Sequence, residues 1–529
     1  MVKGSAFLEK HVVVVGAGVG GLVTAALLAH RGVKVTLVEA SATPGGKMRQ
    51  LPVGGALIDS GPTVFTMRWV FEQIFDEIGS SLSDSLTLEP LDILARHAWR
   101  KDAERLDLFS DTARSADAIS QFSSPAEAQR FLAFCKKAKE IYQHLEGPYI
   151  RSSRPTLASM GKDLGAGGLA ALASLGPFSS LWTSLGQYFK DPRLQQLFGR
   201  YATYCGASPW AAPATLMLVA HVELDGVWSV VGGMHALAKS LAEHAQKRGA
   251  ELRFSTRCQR VLVRDGRACG VELENGEQLA ADAVVFNGDA NALAQGLLGS
   301  AASKATTLTP LAKRSLSALT WSIFGRATGF PLVRHNVFFD DDYASEFTDV
   351  FKRRTLPNRG TVYVCAQDRT DSALDAGADE RLFCLVNAPA TDGDTSRPLN
   401  PSEIQTCQEQ SLKLLGQCGL ILDLASAQTV QTTPDDFSRL FPGSGGALYG
   451  QASHGWMTPF QRPGSLSRLP GLYLAGGSVH PGPGVPMAAL SGQLAAATVM
   501  AHLASTKPLG RVRISGGMST PSATTVITR

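Results

Sequence analysis

The feature that most restricts what this chain can fold into lies near its start, in Gly16-Ala17-Gly18-Val19-Gly20-Gly21. Before it stands the strand-like run His11 to Val15; after it Leu22 to His30 carries a helical pattern, and Val33 to Glu39 reads as a second strand. Strand, glycine turn, helix and strand in this order form a βαβ unit, so the chain opens as an α/β protein with a Rossmann-type sheet. Each glycine of the GxGxxG pattern has its own reason. Gly16 permits the tight turn, Gly18 lets a pyrophosphate approach the backbone, and Gly21 lets helix and strand pack closely, with Gly20 inside the same turn. The first turn of the helix then offers unpaired N–H groups to the anion. Glu39 ends the second strand, followed by Ala40, where a carboxylate accepts both hydroxyls of an adenosine ribose and repels a 2′-phosphate. A glycine-rich turn without a ligand would explain the glycines, but not the strand, helix and acidic residue that agree with them.

Composition adds mainly exclusions. With 529 residues the chain exceeds the size at which one core keeps growing, so lobes sharing an interface are expected. Hydrophobic residues make up 44%, charged residues 18%, and the net charge is +4, an ordinary globular balance that gives no reason to expect nucleic acid as a partner. The eight cysteines are scattered with no pair at the spacing of zinc sites or redox dithiols, so no metal is expected and a reducing compartment fits. Residues 1–10 lack the apolar stretch and cleavage site of a signal peptide, which points to the cytoplasm. The uncharged stretch Leu164 to Phe189 is long enough to span a bilayer but is interrupted by glycines, Pro177 and serines. It reads as a buried helix and loop, or else as a surface that dips into a membrane interface.

Along the chain, residues 70–222 read as mostly helical, with apolar spacing in Phe131 to Leu145 and Leu194 to Tyr204. From Glu251 short β-branched runs broken by Asp265-Gly266 and Asn275-Gly276 read as hairpins that lead to the strand Ala283 to Phe286. Runs such as Thr361 to Ala366 and Arg381 to Val386 suit a mixed sheet, and the strand Gly471 to Ala475 is followed by an alanine-rich helix, Ala488 to Leu503. The first domain is therefore discontinuous: 1–69, 223–290 and 451–506, with a helical insertion at 70–222, a mixed-sheet substrate domain at 291–450 and a flexible tail at 507–529.

Pro44-Gly45-Gly46-Lys47 follows Glu39 closely, and a second glycine pair at this distance is foreign to a generic NAD site; it points to FAD. Over Val12 to Lys47 the chain resembles the two-dinucleotide-binding-domain flavoproteins. That resemblance implies that Gly45, Gly46 and Lys47 contact the pyrophosphate or ribose side of FAD, and that Gly61, Pro62 and Thr63 lie beside the isoalloxazine ring. Near the other end, Gly471 to Met487 reads as a strand, the glycine pair Gly476-Gly477, a Pro/Gly-rich loop and a helix beginning near Pro486. Amide N–H groups of Met487 and Ala488 would then face a flavin edge that gains negative charge on reduction.

Taken with the opening motif, the ending Gly-Leu-Tyr-Leu-Ala-Gly-Gly-Ser-Val-His-Pro-Gly-Pro-Gly-Val-Pro resembles bacterial carotenoid desaturases of the phytoene-desaturase type, over nearly the whole chain. The segment Pro486 to Gly492 looks like the hydroxycarotenoid 3,4-desaturase branch, and no acidic residue follows Gly476 directly, unlike in many amine oxidases. In that family the residue near Val261 contacts the adenine through its backbone. The resemblance implies an FAD-dependent oxidoreductase that introduces the C3–C4 double bond of a 1-hydroxycarotenoid. It also implies a lipophilic carotenoid as substrate and oxygen or a quinone as electron acceptor; the apolar and aromatic residues of Leu164 to Tyr188, Trp182 among them, lead to the expectation that this part of the insertion makes peripheral contact with the cytoplasmic membrane. No catalytic base is named by the sequence; His480 reads more readily as a structural hydrogen-bond partner than as a proton acceptor. The rival expectations are a phytoene desaturase, a carotenoid cis-trans isomerase and a non-catalytic interaction protein on the same fold.

Overall fold

The architecture was obtained as a computed structural model, which describes residues 10–505 apart from 101, 103, 154, 164–175, 177, 370–377 and 392–398. Its organising element is a five-stranded parallel sheet in the order Leu472–Leu474, Ala283–Phe286, His11–Val15, Lys34–Val38, Glu251–Arg253. The central strand is apolar on both faces because both are covered. Val12 and Val14 face a core shared with the helices, while Val13 and Val15 face a core that includes Val261, Val271 and Leu293. Three helices enclose the first face: Val19–His30, His235–Lys247 and Val485–Leu503. The first and last of these approach until a Cβ on Gly492 would lie 2.3 Å from the carbonyl oxygen of Gly20, and the Thr24 hydroxyl sits between the carbonyls of Gly20 (2.7 Å) and Gly492 (3.0 Å). The expected hairpins, Cys258–Arg264, Arg267–Leu273 and Gln278–Ala280, form an antiparallel sheet with residues of its strands in the other core.

A second, seven-stranded sheet has the order Gln428–Thr432, Ser317–Gly325, Glu380–Ala388, Val362–Ala366, His335–Phe339, Ile93–Trp99, Arg105–Phe109. All neighbours are antiparallel except His335–Phe339 beside Ile93–Trp99. Its last two strands come from the region expected to be mostly helical. Their sequences, ILARHAW and RLDLF, place charges inside the strands, and the fold tolerates this because Arg96 and Asp107 form a two-pronged pair across the ladder at 2.6 and 2.7 Å. The insertion's helices, among them Pro125–Leu145, Leu181–Tyr188, Pro192–Gly199 and Leu218–Leu224, pack on this sheet through an aromatic core of Phe131, Phe134, Phe189, Phe198 and Phe339. The tail 507–529 and most of Leu164 to Gly176 lie outside the described residues.

Candidate active site

A cavity of about 1110 Å³ runs from the glycine turn of the parallel sheet into the space between the mixed sheet and the helical insertion. Its first half is made largely of backbone. Gly16, Gly18, Gly20, Glu39, Ala40, Gly45, Gly46, Lys47, Gly61, Pro62, Thr63, Gly476, Gly477, Pro486, Met487 and Ala488 all line it, so residues from both ends of the chain meet on one wall. Gly21 does not line it; a Cβ there would lie 2.1 Å from the carbonyl oxygen of Gly16, which is the close helix–strand packing expected of that position. At Gly20 a Cβ would meet the Asn287 side chain at 2.7 Å and the Gly476 nitrogen at 2.8 Å, and at Gly61 it would meet the Lys47 carbonyl oxygen at 1.9 Å.

This half fits FAD on its own geometry. The helix Val19–His30 begins with no side-chain cap and no acidic residue in its first turn, leaving amides for an anion. Glu39 is held at the end of its strand by the amides of Ala17 (2.6 Å) and Ser41 (2.8 Å), which orient its carboxylate at the cavity wall.

Three expectations need correction. Val261 is buried behind the wall, with its amide donating to Leu298 O at 3.0 Å; the hairpin residues that reach the cavity are Cys258 and Gln259. The Ala488 amide is also unavailable, since it donates to Gly484 O at 2.9 Å as the first full turn of its helix, so the open amide in this pair is that of Met487. Trp182 is no exposed anchor: its ring stacks on Trp210 with centroids 4.5 Å apart and packs against Tyr343. Lys47 lines the cavity, but its ammonium donates to Leu448 O at 2.6 Å and lies over the Phe441 ring, with burial lowering its pKa. His480 is 2% exposed and bonded to Tyr149 O at 3.0 Å; burial pushes its pKa down to about 4, so it stays neutral and structural.

The second half of the cavity is built from side chains. Leu145, Leu216, Val219, Val222, Phe383 and Leu385 give it an apolar wall. Polar groups interrupt that wall, and two hydrogen-bonded sets among them were not singled out in the sequence. The Tyr363 hydroxyl lies 2.6 Å from Thr63 Oγ1 and 2.7 Å from His335 Nδ1, tying the Gly61–Pro62–Thr63 turn to the mixed sheet. Burial, with Arg334 and Arg200 nearby, drives the His335 pKa well down, so its ring is neutral. On the same cavity, Tyr201 and Tyr204 donate to the two oxygens of Glu223 at 2.6 and 3.0 Å, and Arg200 donates to the Tyr204 hydroxyl at 3.0 Å. Spacing carried one hint, because Arg200 and Tyr204 are four residues apart in a stretch with helical periodicity.

The cavity opens beside exposed apolar groups. Phe178, 74% exposed, meets Trp456 edge-on at 5.1 Å, and both line the cavity with Leu157; Met457 is exposed next to Trp456. Among the described residues no helix is long and apolar enough to cross a membrane, and no group of His, Cys, Asp and Glu is arranged to hold a metal.

Comparison with known proteins agrees with this geometry. Residues 19–500 match the family described as flavin containing amine oxidoreductase. The chain is 65% identical over 519 residues to the hydroxyneurosporene desaturase of Rubrivivax gelatinosus, covering 98% of each chain. It is 43% identical to that of Cereibacter sphaeroides (94% and 99% covered) and 30% identical to the 4,4'-diapolycopene oxygenase of a Methylomonas species (94% and 99%). Among solved structures, an oxidoreductase from Methanosarcina mazei superposes with a TM-score of 0.58 at 17% identity, over 93% of this chain and 100% of the other. Cyclohexylamine oxidase from Brevibacterium oxydans gives 0.55 at 15% identity, over 94% and 100%; such identities speak for the fold alone. A glycine cradle for FAD opening onto an apolar cavity, a family match across most of the chain and near-full-length relatives converge: the chain belongs to the flavin containing amine oxidoreductase family, in the group that holds the hydroxyneurosporene desaturases.

Proposed function

We propose that the protein is an FAD-dependent carotenoid desaturase that introduces the C3–C4 double bond of a 1-hydroxycarotenoid. The observation that carries this reading is the single cavity in which a backbone cradle of glycines continues into an apolar chamber. Gly16, Gly18, Gly20, Glu39, Gly45, Gly46, Gly476, Gly477 and Met487 hold the cofactor in this reading, and Cys258 takes the place of Val261 beside the adenine. FAD supplies the acceptor for a hydride.

The chain's own residues do the rest. The polyene has no polar handle at the carbons that react, so alignment along Leu145, Val219, Val222, Phe383 and Leu385 replaces an activated nucleophile. Loss of a hydride from one carbon and a proton from its neighbour leaves a double bond between them. Positive charge develops on the polyene in between, and an apolar wall keeps water from adding to it. The tie from Thr63 through Tyr363 to neutral His335 fixes the turn beside the reacting carbons without placing a cation there.

A carotenoid is too apolar to arrive through water. Phe178, Trp456, Leu157 and Met457 form the face that meets the membrane at the mouth of the cavity, in place of Trp182. Replacing Phe178 and Trp456 by serine is expected to reduce co-sedimentation with liposomes; undiminished binding contradicts this face. Oxygen or a quinone would serve as terminal electron acceptor, which anaerobic turnover with and without added quinone separates.

The test is expression in cells supplied separately with phytoene and with a 1-hydroxycarotenoid. Loss of two hydrogens with a red shift from the hydroxylated substrate alone supports the proposal. Conversion of phytoene moves it to an earlier desaturation, and an unchanged mass points to isomerisation.

A further inference from the structure

Arg200 is a sparsely satisfied cation on the cavity wall. Its guanidinium has five N–H donors, yet among the described residues it makes one hydrogen bond, to the Tyr204 hydroxyl at 3.0 Å, and no ion pair within 4.0 Å. Its Nε is buried without a partner. Burial opposes its charge, but Tyr204, Glu223 and Tyr201 outweigh that effect and keep it protonated. A cation half-buried on an apolar wall, with its Nε fully buried, is costly unless something accepts its protons. Glu223 is close by with both oxygens bonded to tyrosine hydroxyls, and each oxygen retains a lone pair.

This pattern has a directional meaning. The cluster offers donors from Arg200 and an acceptor from Glu223 on one patch of the wall, while Val219 and Val222 beside it offer only carbon. A hydrocarbon chain end satisfies neither. An alcohol satisfies both, since its oxygen accepts from the guanidinium and its proton is given to the carboxylate. A methyl ether satisfies only the donors.

We propose that Arg200, positioned by Tyr204 and Glu223, recognises the terminal hydroxyl of the polyene and is the residue that makes the enzyme selective for oxygenated chain ends. The inference rests on the desaturase reading above. It explains why a polar cluster stands in a chamber for an otherwise apolar substrate, and why its charge is balanced. Glu223 compensates Arg200, so a hydroxyl can be held without presenting a bare cation to the charge that develops on the polyene. Tyr363 is a poorer candidate, because Thr63 and His335 already use its hydroxyl. Thr320, whose buried Oγ1 has no partner on the same cavity wall, is the competing site and serves as the control.

The experiment measures kcat/KM of purified, flavin-loaded protein in liposomes for three polyenes of equal length, ending in a hydroxyl, a methyl ether or a hydrocarbon. The wild type is expected to prefer them in that order. Arg200→Met is expected to lower the hydroxyl-to-hydrocarbon ratio roughly ten- to a hundredfold, the worth of a hydrogen bond to a charged group, and Arg200→Lys to restore part of it. If Arg200→Met does not retain flavin, Tyr204→Phe replaces it, with a smaller loss of ratio expected. An unchanged ratio in the flavin-loaded variant, or a ratio lost in Thr320→Val instead, overturns this proposal alone. Failure of the wild type to oxidise any of the three overturns it together with the desaturase reading.

Discussion

The two halves of the cavity are built by opposite means. The cofactor half is backbone brought close by glycine, and its tolerances are those of a missing Cβ: 2.7 Å at Gly20, 2.1 Å at Gly21, 1.9 Å at Gly61. The substrate half is a set of side chains from separated segments, in which Tyr204, Glu223 and Tyr363 meet only after the mixed sheet and the helical insertion have packed. A half made of backbone gives way to single methyl groups, whereas a half made of side chains is tuned by them.

The largest expected effect follows from the cofactor half. Gly20→Ala places a methyl group against Asn287, Gly476 and Ala488 at 3.0 Å or less, so flavin content after purification is expected to fall at least about tenfold. Normal flavin content in this variant breaks the comparison.

Acid stability treats both halves alike. Burial lowers the pKa of His480, beside the cofactor loop, to about 4 and that of His97, in the mixed sheet, to about 3. Unfolded, both titrate near the ordinary 6.5. The stability gained from their neutral forms is therefore complete above that value and is lost as pH falls toward 4, because the unfolded chain takes up protons that the fold refuses. For His480 alone the loss approaches roughly 3 kcal/mol once pH is below its folded value. Thermal unfolding from pH 7 to pH 4 measures this, and a His480→Gln variant is expected to show a shallower decline.

Tyr363→Phe removes the hydroxyl shared by Thr63 and His335 and is expected to cost about 2 kcal/mol of stability. Flavin content should fall less than in Gly20→Ala while turnover drops, because the hydroxyl supports the Gly61–Pro62–Thr63 turn from the mixed sheet and is not part of the glycine cradle. Val261→Ala sharpens the same distinction at the lowest cost. It removes buried volume behind the wall, about 1 kcal/mol, and leaves flavin content at the wild-type level; loss of flavin would return Val261 to the adenine site.

The same contrast explains what could be read without the fold. The strand, turn, helix and acid of residues 11–39 are local, so hydrophobic period and glycine spacing placed them to within a few residues. The loop after Gly476 was legible for the same reason, apart from the Ala488 amide, whose partner is set by where the helix begins. Ile93–Trp99 and Arg105–Phe109 escaped because strand charges hide the alternation, and only the cross-strand pair of Arg96 with Asp107 makes them acceptable. The packing of Trp182 on Trp210 and Tyr343 joins residues 28 and 161 positions apart, so its sequence neighbourhood alone reads as a membrane anchor. Arg200, Tyr204 and Glu223 carry no motif at all; their meaning comes from the apolar chamber around them.

The central claim is that one cavity joins a flavin to a polyene so that the first oxidises the second. The direct measurement is an anaerobic single turnover, mixing flavin-loaded protein with a 1-hydroxycarotenoid in liposomes while recording both absorption spectra. The account predicts that the flavin band bleaches in step with a red shift of the carotenoid, whose mass falls by two hydrogens. A carotenoid spectrum that changes with no change in mass, or a flavin that stays oxidised throughout, would contradict it.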